Sequence, residues 1–181
     1  DWELTPTTPN WAHSWTNYWQ PGEAGAQARL AAFLDEDLNN YSQERDRPDL
    51  PSTSRLSPHL HFGEISPRQV HAAVNFQPFQ DPMLVSGAEK FMSELGWREF
   101  SHHLLYHFPA ITTENWRPAF EAYPWRDSQQ DLNAWRRGQT GYPFVDAGLR
   151  ELWQTGFMHN RARMIVASFL VKHLRIHWRE G

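Results

Sequence analysis

Apolar side chains recur at helical spacing along this chain, in segments cut apart by proline and glycine, and no run of strand length alternates between apolar and polar residues. Leu30, Phe33, Leu34 and Leu38 mark one face of a helix predicted over residues 23–40, and Pro48 and Pro51 force a loop after it. Ser66 before Pro67 reads as an N-cap with proline at the first helical position, opening a helix to about Asn75. A long helix is predicted over residues 86–107. Pro109, Pro118 and Pro124 interrupt the next stretch, and Ser128 caps a short helix that ends at Gly138. Pro143–Thr155 forms the next helix with Gly156 as its stop, and a last one covers residues 159–176. Val and Ile are scarce outside these patterns, so the predicted fold class is all-α, a helical bundle. Residues 1–22, rich in Pro, Thr, Trp and Asn, read as an extended linker that Trp11, Trp15 and Trp19 pin to the body formed by residues 23–181.

A length of 181 residues with 40% hydrophobic content supports a real core and excludes a disordered chain. The ten Trp, eleven Phe and five Tyr supply packing and also stacking faces and oxidisable indoles. Without cysteine there is no disulfide, thiolate metal site or cysteine nucleophile, which fits a reducing, cytoplasmic setting. The apolar run over residues 164–171 is too short for a bilayer, which needs about 18 residues, and no signal peptide opens the chain. It begins Asp1-Trp2 without an initiator Met and is expected to be a piece of a longer protein. The net charge of −4 is uneven: residues 1–115 carry 7 Lys and Arg against 15 Asp and Glu, and residues 116–181 carry 10 against 6. The last third can therefore face phosphates, or simply carry a salt-bridged helix surface.

Three groups of residues combine chemistry that packing alone does not require. Asn160, Arg163 and Met164 stand at i, i+3 and i+4, placing an amide, a guanidinium and a thioether on one face able to grip a polar, partly aromatic ligand. The other reading is a helix cap with two solvated arginines. Tyr41 and the hydroxyl-rich loop Thr53-Ser54-Arg55-Leu56-Ser57 could cradle an anion such as a pyrophosphate, or be an ordinary loop. Phe91, Glu94, Trp97 and Arg98 form one stripe, in which a carboxylate beside an indole suits a nucleobase edge; the alternative is an Arg98–Glu94 surface pair flanking a buried Trp. His103 and His107, at i and i+4, suggest no third ligand and no His-Glu-x-x-His pattern, so no metal site is expected.

Taken with Thr140-Gly141-Tyr142-Pro143 and Trp178-Arg179-Glu180-Gly181, the run Met158-His159-Asn160-Arg161 resembles the FAD-binding helical domain of the DNA photolyase and cryptochrome family, most nearly the class I cyclobutane pyrimidine dimer photolyases. The resemblance begins around Trp11 and reaches Gly181. It implies that Tyr41, Thr53, Ser54, Arg55, Leu56, Ser57, Phe91, Arg98, Asn160 and Arg163 contact FAD. This chain has Phe91 where several members carry a pocket Trp. Glu94, Trp97, Asn160, Arg161 and Met164 match positions facing the lesion and its phosphates. Trp125 and Trp178 match the two outer members of an electron-transfer chain of tryptophans.

The implied activity is that of a deoxyribodipyrimidine photo-lyase, a light-dependent repair enzyme. It flips a pyrimidine dimer out of UV-damaged DNA and splits its cyclobutane ring by electron transfer from photoexcited reduced FAD. A cryptochrome-like blue-light receptor is the alternative, and a non-flavin helical interaction or metal-binding module a second. A nucleoid-associated, bacterial-type location is implied and no membrane partner. The family's α/β domain with its antenna pigment is expected to precede Asp1, and the last helices of the flavin domain to follow Gly181. The chain by itself is accordingly expected to bind FAD weakly and lack repair activity, and to self-associate through a face containing Trp97, Met164 and Trp178.

Overall fold

The computed structural model describes residues 8–181, apart from the side chains of residues 78–80, and every regular element among the described residues is helical. No helix among them is long and apolar enough to cross a membrane. Two compact units form, one from Gln20–Glu114 and one from the residues up to Trp19 together with Asn115–Gly181.

In the unit Gln20–Glu114, helix α1 (Glu23–Ala32) begins after Gly22, whose φ of 96° turns the chain and whose N–H donates to Glu64 at 2.8 Å. The helix predicted to continue to residue 40 instead widens into a π turn, Phe33–Asp37, which buries Phe33. Then follow α2 (Tyr41–Glu44), α3 (Ser57–His61), α4 (Pro67–Gln80) and α5 (Val85–His107). Ser66 caps α4 reciprocally with Gln69: its hydroxyl accepts the Gln69 N–H at 3.2 Å, and the Gln69 side chain accepts the Ser66 N–H at 2.8 Å. That helix outlasts the predicted Asn75 and stops before Asp81-Pro82, where Asp81 accepts the Met83 N–H and starts the turn into α5.

Phe33, Tyr41 and Phe91 form an aromatic triangle at the centre of this core, with centroids 4.6 to 5.4 Å apart. Helix α5 lies so close to the chain at Leu38 that a Cβ on Gly87 would stand 1.8 Å from the Leu38 carbonyl oxygen.

The other unit packs α6 (Gln129–Arg136), α7 (Pro143–Thr155) and α8 (Asn160–Ser168), the last continuing as a π turn over Phe169–Leu174. Ser128 caps α6 through the Asp131 N–H, as its position suggests. Helix α8 starts one residue later than predicted because His159 is its cap, accepting the Arg161 N–H on Nδ1 at 3.1 Å, and it ends before Arg175, which turns left-handed at φ 58°. The close crossing of α7 and α8 is built on Gly148, where a Cβ would meet Val166 at 3.3 Å and Ala162 at 3.5 Å.

The segment expected to be an extended linker has a 3₁₀ turn at His13–Asn17, while residues 1–7 of it lie outside the described part. Trp15 and Trp19 do fasten it: their indole N–H groups donate to the carbonyls of Trp153 at 3.3 Å and Thr155 at 2.6 Å, and the Ser14 hydroxyl takes Gln154 at 2.8 Å. These carbonyls at the end of α7 have no acceptor role left within the helix, so the segment acts as its C-terminal cap. Its physical reason for not being extended is that three consecutive carbonyls of one helical turn must be met from one short stretch.

The contact at Gly87 generates a stability prediction. Gly87→Ala should cost about 1–3 kcal/mol through backbone displacement, despite the better helix propensity of alanine. Urea unfolding of the variant measures it, and unchanged or increased stability would refute the close approach.

Candidate functional site

Helix α5 and the loop before α3 together enclose a cavity of about 410 Å³ in the unit Gln20–Glu114. Tyr41, Ser54, Leu56, Ser57, Phe91, Glu94 and Arg98, all singled out from sequence, line it. Phe91, Glu94 and Arg98 converge because they lie on one stripe of α5. The loop is held by a residue that sequence reasoning missed: Arg29 of α1 donates through Nε to the Ser54 carbonyl at 2.8 Å and through Nη2 to that of Thr53 at 2.9 Å. Thr53 thus serves the cavity by its backbone, and Arg55 carries a left-handed φ of 52° that turns the loop into Leu56. The Leu56 N–H meets the Ser54 hydroxyl at 3.4 Å.

Charge on the cavity wall is tightly partnered. Glu94 pairs with Arg45 and lies 3.9 Å from Lys90; the Arg45 guanidinium also stands 3.3 Å from Asp46 and 5.9 Å from the Tyr41 ring centroid. The Arg98–Glu94 pair of the packing alternative does not form: Arg98 meets Glu99 at 2.5 Å, while Arg98 Nη2 donates to the Leu60 carbonyl at 3.3 Å. Burial pushes the Tyr41 hydroxyl up to about 12, against the opposing pull of Arg45, so it stays a neutral donor. Leu60, His61, Leu95 and His102 complete the lining. Of these, His102 was legible as the next turn of the Glu94–Arg98 stripe; Arg29 and Arg45 left no such periodic signal.

Trp97 is not buried, as the packing alternative required: it is 61% exposed, edge-on to Phe100 at 5.8 Å. His103 and His107 have rings 4.3 Å apart, but no group of three His, Cys, Asp or Glu among the described residues is arranged to hold a metal.

In the second unit, Asn160 Nδ2 and Arg161 Nη1 approach the sulfur of Met164 at 4.0 and 3.8 Å. Met164 is 54% exposed, so these three present one polar and polarisable surface at the start of α8. Arg163 departs from the predicted shared face and reaches back to the Met158 carbonyl at 3.4 Å. Trp125 donates to the Phe120 carbonyl at 3.0 Å, and Trp178 to the Asn115 side-chain oxygen at 2.7 Å. The Thr140-Gly141-Tyr142-Pro143 turn is organised by buried Asp146, whose carboxylate accepts the Thr140 hydroxyl at 2.6 Å, the Thr140 N–H at 2.8 Å and the Gly141 N–H at 3.0 Å.

A family model for the FAD binding domain of DNA photolyase matches residues 91–181. This chain belongs to the DNA photolyase family. A curated photolyase-family relative, the deoxyribodipyrimidine photo-lyase of Agrobacterium fabrum, is 50% identical over the whole chain, which spans only 37% of that protein. Among solved photolyase-family structures, a bacterial class III photolyase from Agrobacterium tumefaciens superposes with a TM-score of 0.95 at 50% identity, covering 99% of this chain and 37% of that one. A Synechocystis cryptochrome gives 0.82 at 35% identity, covering 89% and 34%. The family and all-α fold expected from the motifs hold. The class III description of that similar photolyase differs from the class I likeness of the Met158–Arg161 run.

Asp146 gives this photolyase-family domain an acid-sensitive joint. Burial works to raise its carboxyl, but the Thr140 hydroxyl and the two backbone N–H groups outweigh it and hold it below the ordinary value. A depressed folded-state value means the contribution is complete above the unfolded value of about 3.9 and disappears as pH falls through the folded one. Asp146→Asn should lower stability at neutral pH and flatten the acid limb of a thermal-melting profile; an unchanged acid limb would show that Asp146 is not the sensor.

Proposed function

We propose that this chain is the FAD-binding, DNA-facing part of a light-dependent repair enzyme that splits cyclobutane pyrimidine dimers. The observation that carries this reading is the gathering of seven family-matched residues on one cavity, within a chain half identical to a named photo-lyase. The cavity lies in the size range of ligand sites, and its hydroxyls, guanidinium and aromatic rings suit an aromatic cofactor with a phosphate linker. Bound flavin supplies light absorption and the transferred electron.

Ser54, Ser57 and Arg98 would hold its polar groups, supported by the loop backbone at Thr53 and Arg55. Tyr41, Leu56 and Phe91 would pack its rings and exclude water. Asn160 and Arg163, which resemble flavin-contacting positions of the family, would add further contacts. Glu94, fixed by Arg45, presents a carboxylate to a base edge, and exposed Trp97 offers a stacking face. Asn160, Arg161 and Met164 form the remaining lesion- and phosphate-facing surface. The partner is UV-damaged DNA with the dimer flipped out of the duplex, since a stacked dimer cannot touch the cofactor. Trp125 and Trp178 would return electrons to oxidised flavin. An antenna pigment would sit in a separate domain, the setting would be the nucleoid, and the exposed Trp97 and Met164 would also permit self-association.

A photosensory reading is supported by the likeness to the Synechocystis cryptochrome. Repair separates the two. Arg98→Ala should weaken FAD binding at least about tenfold in a fluorescence titration, the order of losing one charge-assisted hydrogen bond. Glu94→Gln should retain FAD while slowing light-dependent dimer loss from an oligonucleotide about tenfold. An FAD-loaded protein that carries this chain extended to the length of its relatives and leaves dimers intact under blue light would favour the sensory reading.

A further inference from the structure

We propose that Arg29, which is not among the residues lining the cavity of the unit Gln20–Glu114, is the positioning residue that fits this cavity to a phosphate-bearing flavin rather than a phosphate-free one. The inference rests on the flavin reading above and names the group that sets its specificity. Two successive loop carbonyls, those of Thr53 and Ser54, accept from a single guanidinium, the first from Nη2 at 2.9 Å and the second from Nε at 2.8 Å. In a trans peptide the N–H points opposite to the C=O, so this pair of bonds turns the N–H groups of Ser54 and Arg55 away from Arg29. Arg29 therefore works from behind the loop, while Ser54 and Ser57 are presented to the cavity.

The loop needs such a hold. Ser52 and Leu56, 2% and 1% exposed, anchor its two ends, but between them Arg55 sits at φ 52°, a left-handed conformation that residues with a Cβ avoid. The peptide entering Arg55 is the one whose carbonyl Arg29 Nε holds. A planar guanidinium offers several donors in fixed directions and can hold two neighbouring carbonyls together, which the point charge of an ammonium does not do. Asp37 of the π turn stands 3.7 Å from the same Nη2, beyond hydrogen-bond reach. It balances the charge of Arg29 while the directed bonds go to the loop, so Arg29 acts on an anion through loop geometry more than through its own field.

The place of Arg29 also ties both ends of such a ligand to one helix. It stands four residues before Phe33, one turn along the same side of the chain as it runs from α1 into the π turn. Phe33 packs on Tyr41 and Phe91 of the cavity wall. The aromatic wall and the hydroxyl-bearing loop are thus both keyed to α1. A phosphate-free flavin uses only the wall, whereas one with a phosphate linker uses both.

Fluorescence titration with FAD and with riboflavin, which has the same ring system without phosphate, tests this in a protein that carries this chain extended to the length of its relatives. Arg29→Ala should weaken FAD about tenfold and riboflavin less than about twofold, the order of losing hydrogen bonds to one part of a ligand. Arg29→Lys, which keeps the charge, should resemble Arg29→Ala. In the flavin-free chain, amide exchange at residues 54–56 should quicken several-fold in both variants, while that of α5 stays as in wild type. Unchanged FAD affinity in Arg29→Ala, or equal losses for FAD and riboflavin, would remove the positioning role. Full FAD affinity in Arg29→Lys would make charge, and not the paired bonds, the cause. Each of these results overturns the proposal and leaves the flavin reading standing. A wild-type protein that binds neither flavin overturns that reading itself and this inference with it.

Discussion

The approach of α5 to the backbone at Leu38 is the contact on which the cavity depends. It is possible only because residue 87 lacks a Cβ, and it brings Phe91 against Phe33 and Tyr41 while aligning Glu94 and Arg98 along the cavity. A helix pushed outward by one methyl group would move the whole chemical stripe together, because a helix transmits displacement as a rigid rod. Packing here is therefore inseparable from the placement of function.

The same unit fixes its loop by charge rather than by burial. Arg29 gathers the Thr53 and Ser54 carbonyls, and Arg45 gathers Glu94, Asp46 and the Tyr41 ring. Each guanidinium presents several donors in a fixed plane, so one side chain can join segments far apart in sequence. In the other unit, the end of α7 is completed by Ser14, Trp15 and Trp19, and the turn before it by Asp146. Tryptophan serves there as a donor as much as a core residue.

Local rules made much of this visible beforehand. The caps at Ser66 and Ser128, the stop at Gly156 and the span of α5 follow from interactions within a few residues. The stripe of Phe91, Glu94 and Arg98 was legible for the same reason, since helical periodicity alone puts them on one side. By contrast, the π turns at Phe33–Asp37 and Phe169–Leu174, the exposure of Trp97 and the backward reach of Arg163 depend on what each segment meets elsewhere. The capping of α8 by His159 required the backbone to be seen.

The amino-acid order alone thus determined an all-helical chain, most helix limits, and the motif set that identifies its family, because those rest on short-range periodicity and residue type. Folding decided which guanidinium meets which carboxylate, that Arg98 takes Glu99 while Glu94 takes Arg45, and that an imidazole stands between two indoles. Arg45 with Glu94 and Trp125 with His177 join residues about fifty positions apart, and even the neighbouring pair Arg98–Glu99 is chosen over the chemically equivalent Glu94. Only the packed backbone, through the distances it imposes, selects among them.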